Sequence, residues 1–230
     1  MCTLVPLFFP FGLFGPFGLF VLPVLTREAT ATPTVEDRAL TSLAFLVPTM
    51  NDDIDRTLPM DVADALRETE ETLAVAESCT GGLIGAAITA VPGASDYFDS
   101  GLTTYAYDAK RRHLGVSREA LDEHGAVSEP VAREMARGVR DVTDVTWGIA
   151  TTGVAGPTGG TEDEPVGTVY IAISYAGPWG SDSSYATVSR YEFDGDRADV
   201  RAKTVDQALL DLLSAVEHQY PEAVDPESTE

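Results

Sequence analysis

Thr72-Leu73-Ala74-Val75-Ala76-Glu77-Ser78-Cys79-Thr80-Gly81-Gly82-Leu83-Ile84-Gly85-Ala86-Ala87-Ile88-Thr89-Ala90 is the stretch that decides the fold. Residues 72–76 form a short apolar run, the pattern of a buried strand. Gly81 to Ala90 reads as a small-residue helix that packs closely, stopped by Pro92-Gly93. A buried strand that passes straight into a helix is the opening of a strand-helix-strand unit and places the chain in the α/β class.

Working outward, Val62 and Leu66 among polar neighbours predict an amphipathic helix from about Pro59 to Glu70. Downstream, Tyr97-Phe98 and Gly101 to Tyr107 read as a second strand. Helices are expected over Asp108–Leu114, Ser117–His124 with Ser117 as N-cap and Ala120 at the third helical position, and Ser128–Arg140. Trp147–Thr152 is strand-like, and Gly153 to Thr161 is too rich in glycine to be regular. Gly167–Tyr175 and Tyr185–Phe193 should pair as a hairpin, and Arg197–His218 should close the domain as a helix. Strands alternating with helices, ending in an antiparallel pair, predict a mixed sheet covered on both faces.

The rest of the composition bounds what this domain does. The chain has 230 residues, of which 44% are apolar, enough for one ordinary domain with extensions. Asp and Glu number 37 against 15 Lys and Arg, which argues against nucleic acid or an anionic membrane as partner. Its only lysines are Lys110 and Lys203. Acidity with so little lysine resembles proteins of salt-loving organisms, where molar salt screens self-repulsion. Cys2 and Cys79 have no partner spacing, and His113, His124 and His218 have no metal-ligand spacing, so no metal is expected. Leu4 to Leu25 is apolar, but Pro6, Pro10, Pro16 and Pro23 break any helix there, and no basic residue precedes it. It makes a poor membrane span, and Met50, followed by an acidic run, reads as an alternative start. The chain therefore divides into an N-terminal extension at 1–58, a domain at 59–220 and an acidic tail at 221–230, with a cytoplasmic location expected.

Four constellations carry candidate chemistry. Ser78 follows a strand end, where its hydroxyl is exposed and first-turn N–H groups near Thr80, Gly81 and Gly82 can hold a phosphate or an oxyanion. The plainer reading is that Ser78 or Thr80 only caps the helix. Lys110 lies just after Tyr105 and Tyr107. A desolvated lysine can lose its proton and serve as base for a serine, which arginine cannot do, although lysines more often lie along a surface. Thr152, Gly153 and Gly156 open a glycine-rich loop at a strand end, and Arg197 stands at a helix start with a guanidinium suited to phosphate.

Taken together, these motifs resemble the CinA C-terminal domain family, the nicotinamide-nucleotide amidases. The matching pieces are Ala76 to Gly82, Val91-Pro92-Gly93-Ala94-Ser95, Ala109-Lys110-Arg111, Leu114-Gly115-Val116, His124 to Ser128, Thr152 to Pro157, Pro165 to Tyr170 and Gly195-Asp196-Arg197. The resemblance implies a three-layer αβα sandwich, usually a homodimer or larger, while the acidity and scarce lysine point to a haloarchaeal source. It implies hydrolysis of the carboxamide of nicotinamide mononucleotide to the acid and ammonia, in pyridine-nucleotide recycling, without metal or cofactor. Ser78 matches the family nucleophile and Lys110 its base. Tyr105 and Thr152 match residues that assist at the carbonyl or hold the dyad, and Arg197 matches a substrate-contacting arginine. Thr80, Gly81, Gly82, Gly153 and Gly156 fall in the substrate-binding loops. The chain departs from the pattern at Tyr107, where the family usually has Asn, and in a long connection from Gly177 to Ser184. Residues 1–58 are too few and too apolar to be the partner domain that often precedes this one. The alternative from another class is a nucleotide-binding or competence-associated accessory protein without turnover, and a third is an amidase acting on another small amide.

Overall fold

The computed structural model describes residues 57–220. The apolar run at 4–25, Met50 and the acidic tail from 221 lie outside the described residues. Helix α1 (Leu58–Glu68) carries Pro59 in its first turn, where no N–H is required, and buries Leu58, Val62, Ala63 and Leu66. Strand β1 (Leu73–Glu77) is buried throughout and leads through a tight turn into α2 (Leu83–Thr89). Then come β2 (Phe98–Thr103), α3 (Tyr107–Leu114), α4 (Arg118–His124) and α5 (Glu129–Thr143). Strands β3 (Trp147–Gly153), β4 (Thr168–Tyr175) and β5 (Tyr185–Glu192) precede the long helix α6 (Arg197–Gln219).

The five strands form one sheet in the order β2-β1-β3-β4-β5. β1 pairs in parallel with β2 and β3, whereas β4 is antiparallel to both β3 and β5. Helices α1, α2 and α6 cover one face, where Leu73, Val75, Ile149, Val169 and Ile171 meet Val62, Leu66, Ile84, Ile88, Leu209 and Leu212. The other face is built from Ala74, Ala76, Ala150 and Ala172 against Val131, Met135 and Val139 of α5. This is the mixed, doubly covered α/β sandwich expected from the sequence, with strand residues alternating between the two faces.

The small residues of the second face let α5 approach very closely. A Cβ on Gly148 would lie 2.3 Å from the Ala136 carbonyl oxygen, and one on Gly138 would lie 2.0 Å from that of Leu114. Gly138→Ala therefore sets two effects against each other. Helix propensity favours alanine by about 1 kcal/mol, but the methyl group meets a backbone atom that has no way to swing aside. The expected net result is a loss of about 2 kcal/mol or more, read as a lower urea midpoint with an unchanged m-value.

Two boundaries shift by three residues or more from the sequence reading, and one helix start lacks a side-chain cap. The second strand stops at Thr103 rather than Tyr107, because Ala109 and Lys110 already donate to the Ala106 carbonyl and draw Tyr107 into α3. Helix α5 continues past Arg140 to Thr143, closed by Asp144 at φ 55° in the left-handed region that short polar side chains tolerate. Ser128 does not cap α5, as its hydroxyl donates to the Gly125 carbonyl instead. Ser117 does cap α4, accepting from Ala120 N–H at 3.1 Å.

At the sheet end where β1 and β3 begin, Trp147 is wholly buried against Tyr175 and Tyr185 and donates its indole N–H to Glu71 at 2.6 Å. Tyr220 O–H donates to the other Glu71 oxygen at 2.7 Å, which ties the end of α6 to this cluster. The connection from β4 to β5 turns at the same end and carries Trp179 fully into solvent.

Candidate active site

Because β2, β1 and β3 run in parallel, their C-terminal ends gather along one edge of the sheet. The chain passes from β1 to β2 through α2 on one face and from β2 to β3 through α3, α4 and α5 on the other. The order therefore reverses between β1 and β3, where a crevice opens outside the strand ends and α/β proteins bind ligands. Ser78 stands immediately beyond β1 at this point. Its backbone N–H donates to the Thr151 carbonyl of β3 at 3.0 Å, which fixes the turn against the neighbouring strand.

Lys110 reaches the same point from α3. Its Nζ lies 2.8 Å from Ser78 Oγ and donates to the Thr104 carbonyl at 2.6 Å. The side chain is wholly buried, so the surface alternative does not hold. Both polar partners are neutral, and burial pulls the ammonium from its ordinary 10.5 down to about 8, with Cys79 acting weakly in the opposite sense. At pH 7 about a tenth of Lys110 is then unprotonated, against well under a thousandth for an ordinary lysine. In that form Ser78 O–H donates to the Nζ lone pair, which is the geometry of a serine poised to lose its proton.

The neighbouring Cys79 is a different case. Its thiol is buried and pushed up to about 11, chiefly by desolvation, so it behaves as a small apolar filler beside the nucleophile.

Glu77 was missed as a functional residue in the sequence. Its side chain is buried, and its carboxylate accepts from Gly82 N–H at 2.8 Å, Ile84 N–H at 3.2 Å and Gly85 N–H at 2.9 Å. This takes Gly82 and the α2 N–H groups of Ile84 and Gly85 out of the expected phosphate or oxyanion site, since they already hold an internal anion, while the N–H groups of Thr80 and Gly81 are not engaged by Glu77. Gly82, at φ 97°, is required here to bring its N–H onto Glu77. The visible signal was an acidic residue at the end of a buried strand, directly before a glycine pair.

The remaining expected residues fall into two groups. Arg197 donates to the Gly156 carbonyl at 2.8 Å and to Tyr105 Oη at 3.2 Å, so the exposed Tyr105 and Arg197 and the buried Gly156 form one cluster joining the β2, β3 and α6 loops. Thr152 is buried, and its hydroxyl donates at 2.6 Å to the Ala126 carbonyl, while Ala126 N–H donates to Tyr107 Oη at 3.2 Å. The physical reason is strand alternation: Thr151 and Thr152 point to opposite faces, and Thr151 is the one whose hydroxyl meets Thr80 Oγ1 at 2.8 Å. Thr152 thus steadies the turn before α5, with Tyr107 supporting the same turn. Thr80 has a buried side chain, and Gly153 is packed so closely on β4 that a Cβ would lie 2.6 Å from the Thr168 carbonyl oxygen.

Residues 55–216 match the family model of the CinA C-terminal domain. The chain belongs to the CinA C-terminal domain family. A CinA-like protein of Geobacter sulfurreducens is 44% identical over 195 residues, covering 81% of this chain and 46% of that protein. A CinA-like protein of Salinibacter ruber is 50% identical over 143 residues, covering 62% of this chain and 33% of that one. The chain thus spans less than half the length of these curated relatives. Among solved structures, the competence/damage-inducible protein CihA of Agrobacterium tumefaciens superposes with a TM-score of 0.66 at 34% identity, covering 74% of this chain and 99% of that one. A CinA superfamily protein of Klebsiella pneumoniae gives 0.65 at 36% identity, covering 71% and 98%. All four are bacterial, and they give the expectation of a haloarchaeal source no support. Among the described residues, no helix is long and apolar enough to cross a membrane, and no group of His, Cys, Asp and Glu side chains is arranged to hold a metal.

Proposed function

We propose that this CinA-family domain hydrolyses the carboxamide of nicotinamide mononucleotide, giving nicotinic acid mononucleotide and ammonia, with Ser78 as nucleophile and Lys110 as base. The observation that carries the reading is the 2.8 Å contact between Ser78 Oγ and a buried lysine whose proton is held weakly. The Ser-Lys pair is a known variant of the serine-histidine arrangement. Neutral Lys110 takes the Ser78 proton, Oγ bonds to the amide carbon, and the tetrahedral oxyanion forms. The C–N bond then breaks as Lys110 returns the proton to the leaving nitrogen, so ammonia departs and an acyl ester remains on Ser78. Water attacks that ester as Lys110 accepts its proton, the bond from the acyl carbon to Ser78 Oγ breaks as Lys110 returns that proton to Oγ, and the product leaves as the acid, which ionises to the carboxylate. Arg197, held by Tyr105 and Gly156 above the crevice, supplies a guanidinium for the nucleotide phosphate.

The assay is ammonia release from nicotinamide mononucleotide by the full chain, run in both dilute and molar potassium chloride. Turnover is expected, and greater activity in molar salt would fit the acidic surface. Tight binding of the nucleotide without ammonia would instead favour an accessory protein that has lost turnover, and ammonia from other small amides alone would move the substrate. A cytoplasmic homodimer or larger assembly is the setting we infer for this activity.

A further inference from the structure

Arg201 lies one helical turn beyond Arg197 on α6, on the same face, and takes no part in the site expected from the sequence. Its side chain is partly buried and spans 121 positions of chain to reach the carbonyl of Thr80, donating from Nε at 3.2 Å and from Nη2 at 2.7 Å. A forked, charge-assisted grip on one backbone carbonyl two residues after the nucleophile is more than surface packing requires.

Its consequence follows from which N–H groups remain for an oxyanion. Ser78 N–H is bonded to Thr151, and those of Gly82, Ile84 and Gly85 are bonded to Glu77. In the segment between them, Cys79 to Gly81, no N–H is held in these ways, and of these Gly81 N–H shares its peptide with the Thr80 carbonyl. The Thr80–Gly81 peptide is trans, so its N–H points opposite to its C=O. A guanidinium that fixes the carbonyl therefore fixes the direction of Gly81 N–H, and by polarising the peptide makes it a stronger donor. Thr80 is anchored at its other end by the hydroxyl contact to Thr151, so the peptide plane has two restraints from two different elements. Gly81, at φ 63°, also lets the guanidinium approach, since a Cβ there would lie 3.3 Å from Arg201 Nη2.

We infer that Arg201 is a positioning residue, holding the Thr80–Gly81 peptide so that Gly81 N–H receives the oxyanion formed at Ser78. This rests on the Ser78 reading above and adds the part of the site that the Glu77 cap leaves unassigned. Arg201 acts through the peptide and does not touch the substrate.

The test uses Arg201→Gln and Arg201→Lys in the full chain, with two readouts. One is kcat and KM for ammonia release from nicotinamide mononucleotide. The other is the rate at which a fluorophosphonate labels Ser78, followed by mass spectrometry, which also passes through an oxyanion but needs no amide. Both kcat and the labelling rate should fall about 10²-fold in Arg201→Gln and about tenfold in Arg201→Lys, with KM and Tm close to those of the parent. A raised KM with kcat retained would assign Arg201 to substrate binding and overturn the inference, as would parental kcat and labelling in both variants. If Arg201→Gln does not fold, Arg201→Lys decides by the same criterion. A parent that is labelled at Ser78 yet releases no ammonia removes the substrate reading alone, and the labelling comparison still decides Arg201. A parent that neither labels nor turns over removes both.

Discussion

Ser78→Ala is expected to abolish ammonia release, lowering kcat by about 10⁴-fold or more while the fold is retained. The size of the effect follows from the site having one competent nucleophile. The adjacent Cys79 is intrinsically the stronger attacking atom, but its thiol, pushed up to about 11, is thiolate in roughly one molecule in 10⁴ at pH 7. It is also buried against the α1–α2–α6 layer. Cys79→Ala should therefore leave most of the activity, and loss confined to the serine variant separates the two neighbours. Retention of activity in Ser78→Ala, measured as ammonia per mole of folded enzyme, would remove the nucleophile assignment.

Lys110 should give the second large effect, with opposite signs in activity and stability. Lys110→Met removes the base and Lys110→Arg replaces it with a group that does not lose its proton, so both should lower kcat/KM by about 10³-fold or more. A purely electrostatic role would spare the arginine variant. For the parent, kcat/KM should rise about tenfold per pH unit below pH 8 and level off above it, because the neutral lysine is the active form and its pKa is about 8. Stability carries the same shift. The folded-state pKa lies below the unfolded value of 10.5, so the native state binds fewer protons between pH 8 and 10.5 and stability rises with pH across that window. Below pH 8 the full cost applies, on the order of 3 kcal/mol for a wholly buried lysine. Lys110→Met escapes that cost but leaves the Thr104 carbonyl without its donor, a loss of about 1–3 kcal/mol. At pH 7 the inactive methionine variant should thus be more stable by up to about 2 kcal/mol, and the gain should disappear towards pH 10.5. Urea unfolding at pH 7 and pH 10 measures both arms.

Much of this was legible in the linear chain, for reasons that also mark the limits. The β1–α2 junction announces itself through a local change of period from strand to helix, and Lys110 stands out because lysine is scarce. Both signals lie within a few residues. Glu77 was in plain view, but whether a strand-end carboxylate faces solvent or turns back onto the next helix depends on the turn geometry of Gly81 and Gly82, which residue order does not state. Arg201 was harder still. Nothing local connects it to Thr80, and the link appears only when α6 is packed across the face that holds α2. Thr152 shows a finer limit: the strand end is plain in the sequence, but which of the adjacent hydroxyls of Thr151 and Thr152 faces the serine turn is set by the pleat and register of β3 against β1.

The hairpin formed by β4 and β5 has a use of its own. Its turn lies at the end of the sheet opposite Ser78, so the added length between Gly177 and Ser184 is remote from the chemistry and does not disturb Arg197 on α6. It also separates the two tryptophans of the chain into opposite optical environments. Trp147 is sealed within the Tyr175–Tyr185–Glu71 cluster, and Trp179 is open to water. An aqueous quencher therefore extinguishes one emission and spares the other, which makes the untouched indole an intrinsic dye for the sheet interior without any label being attached.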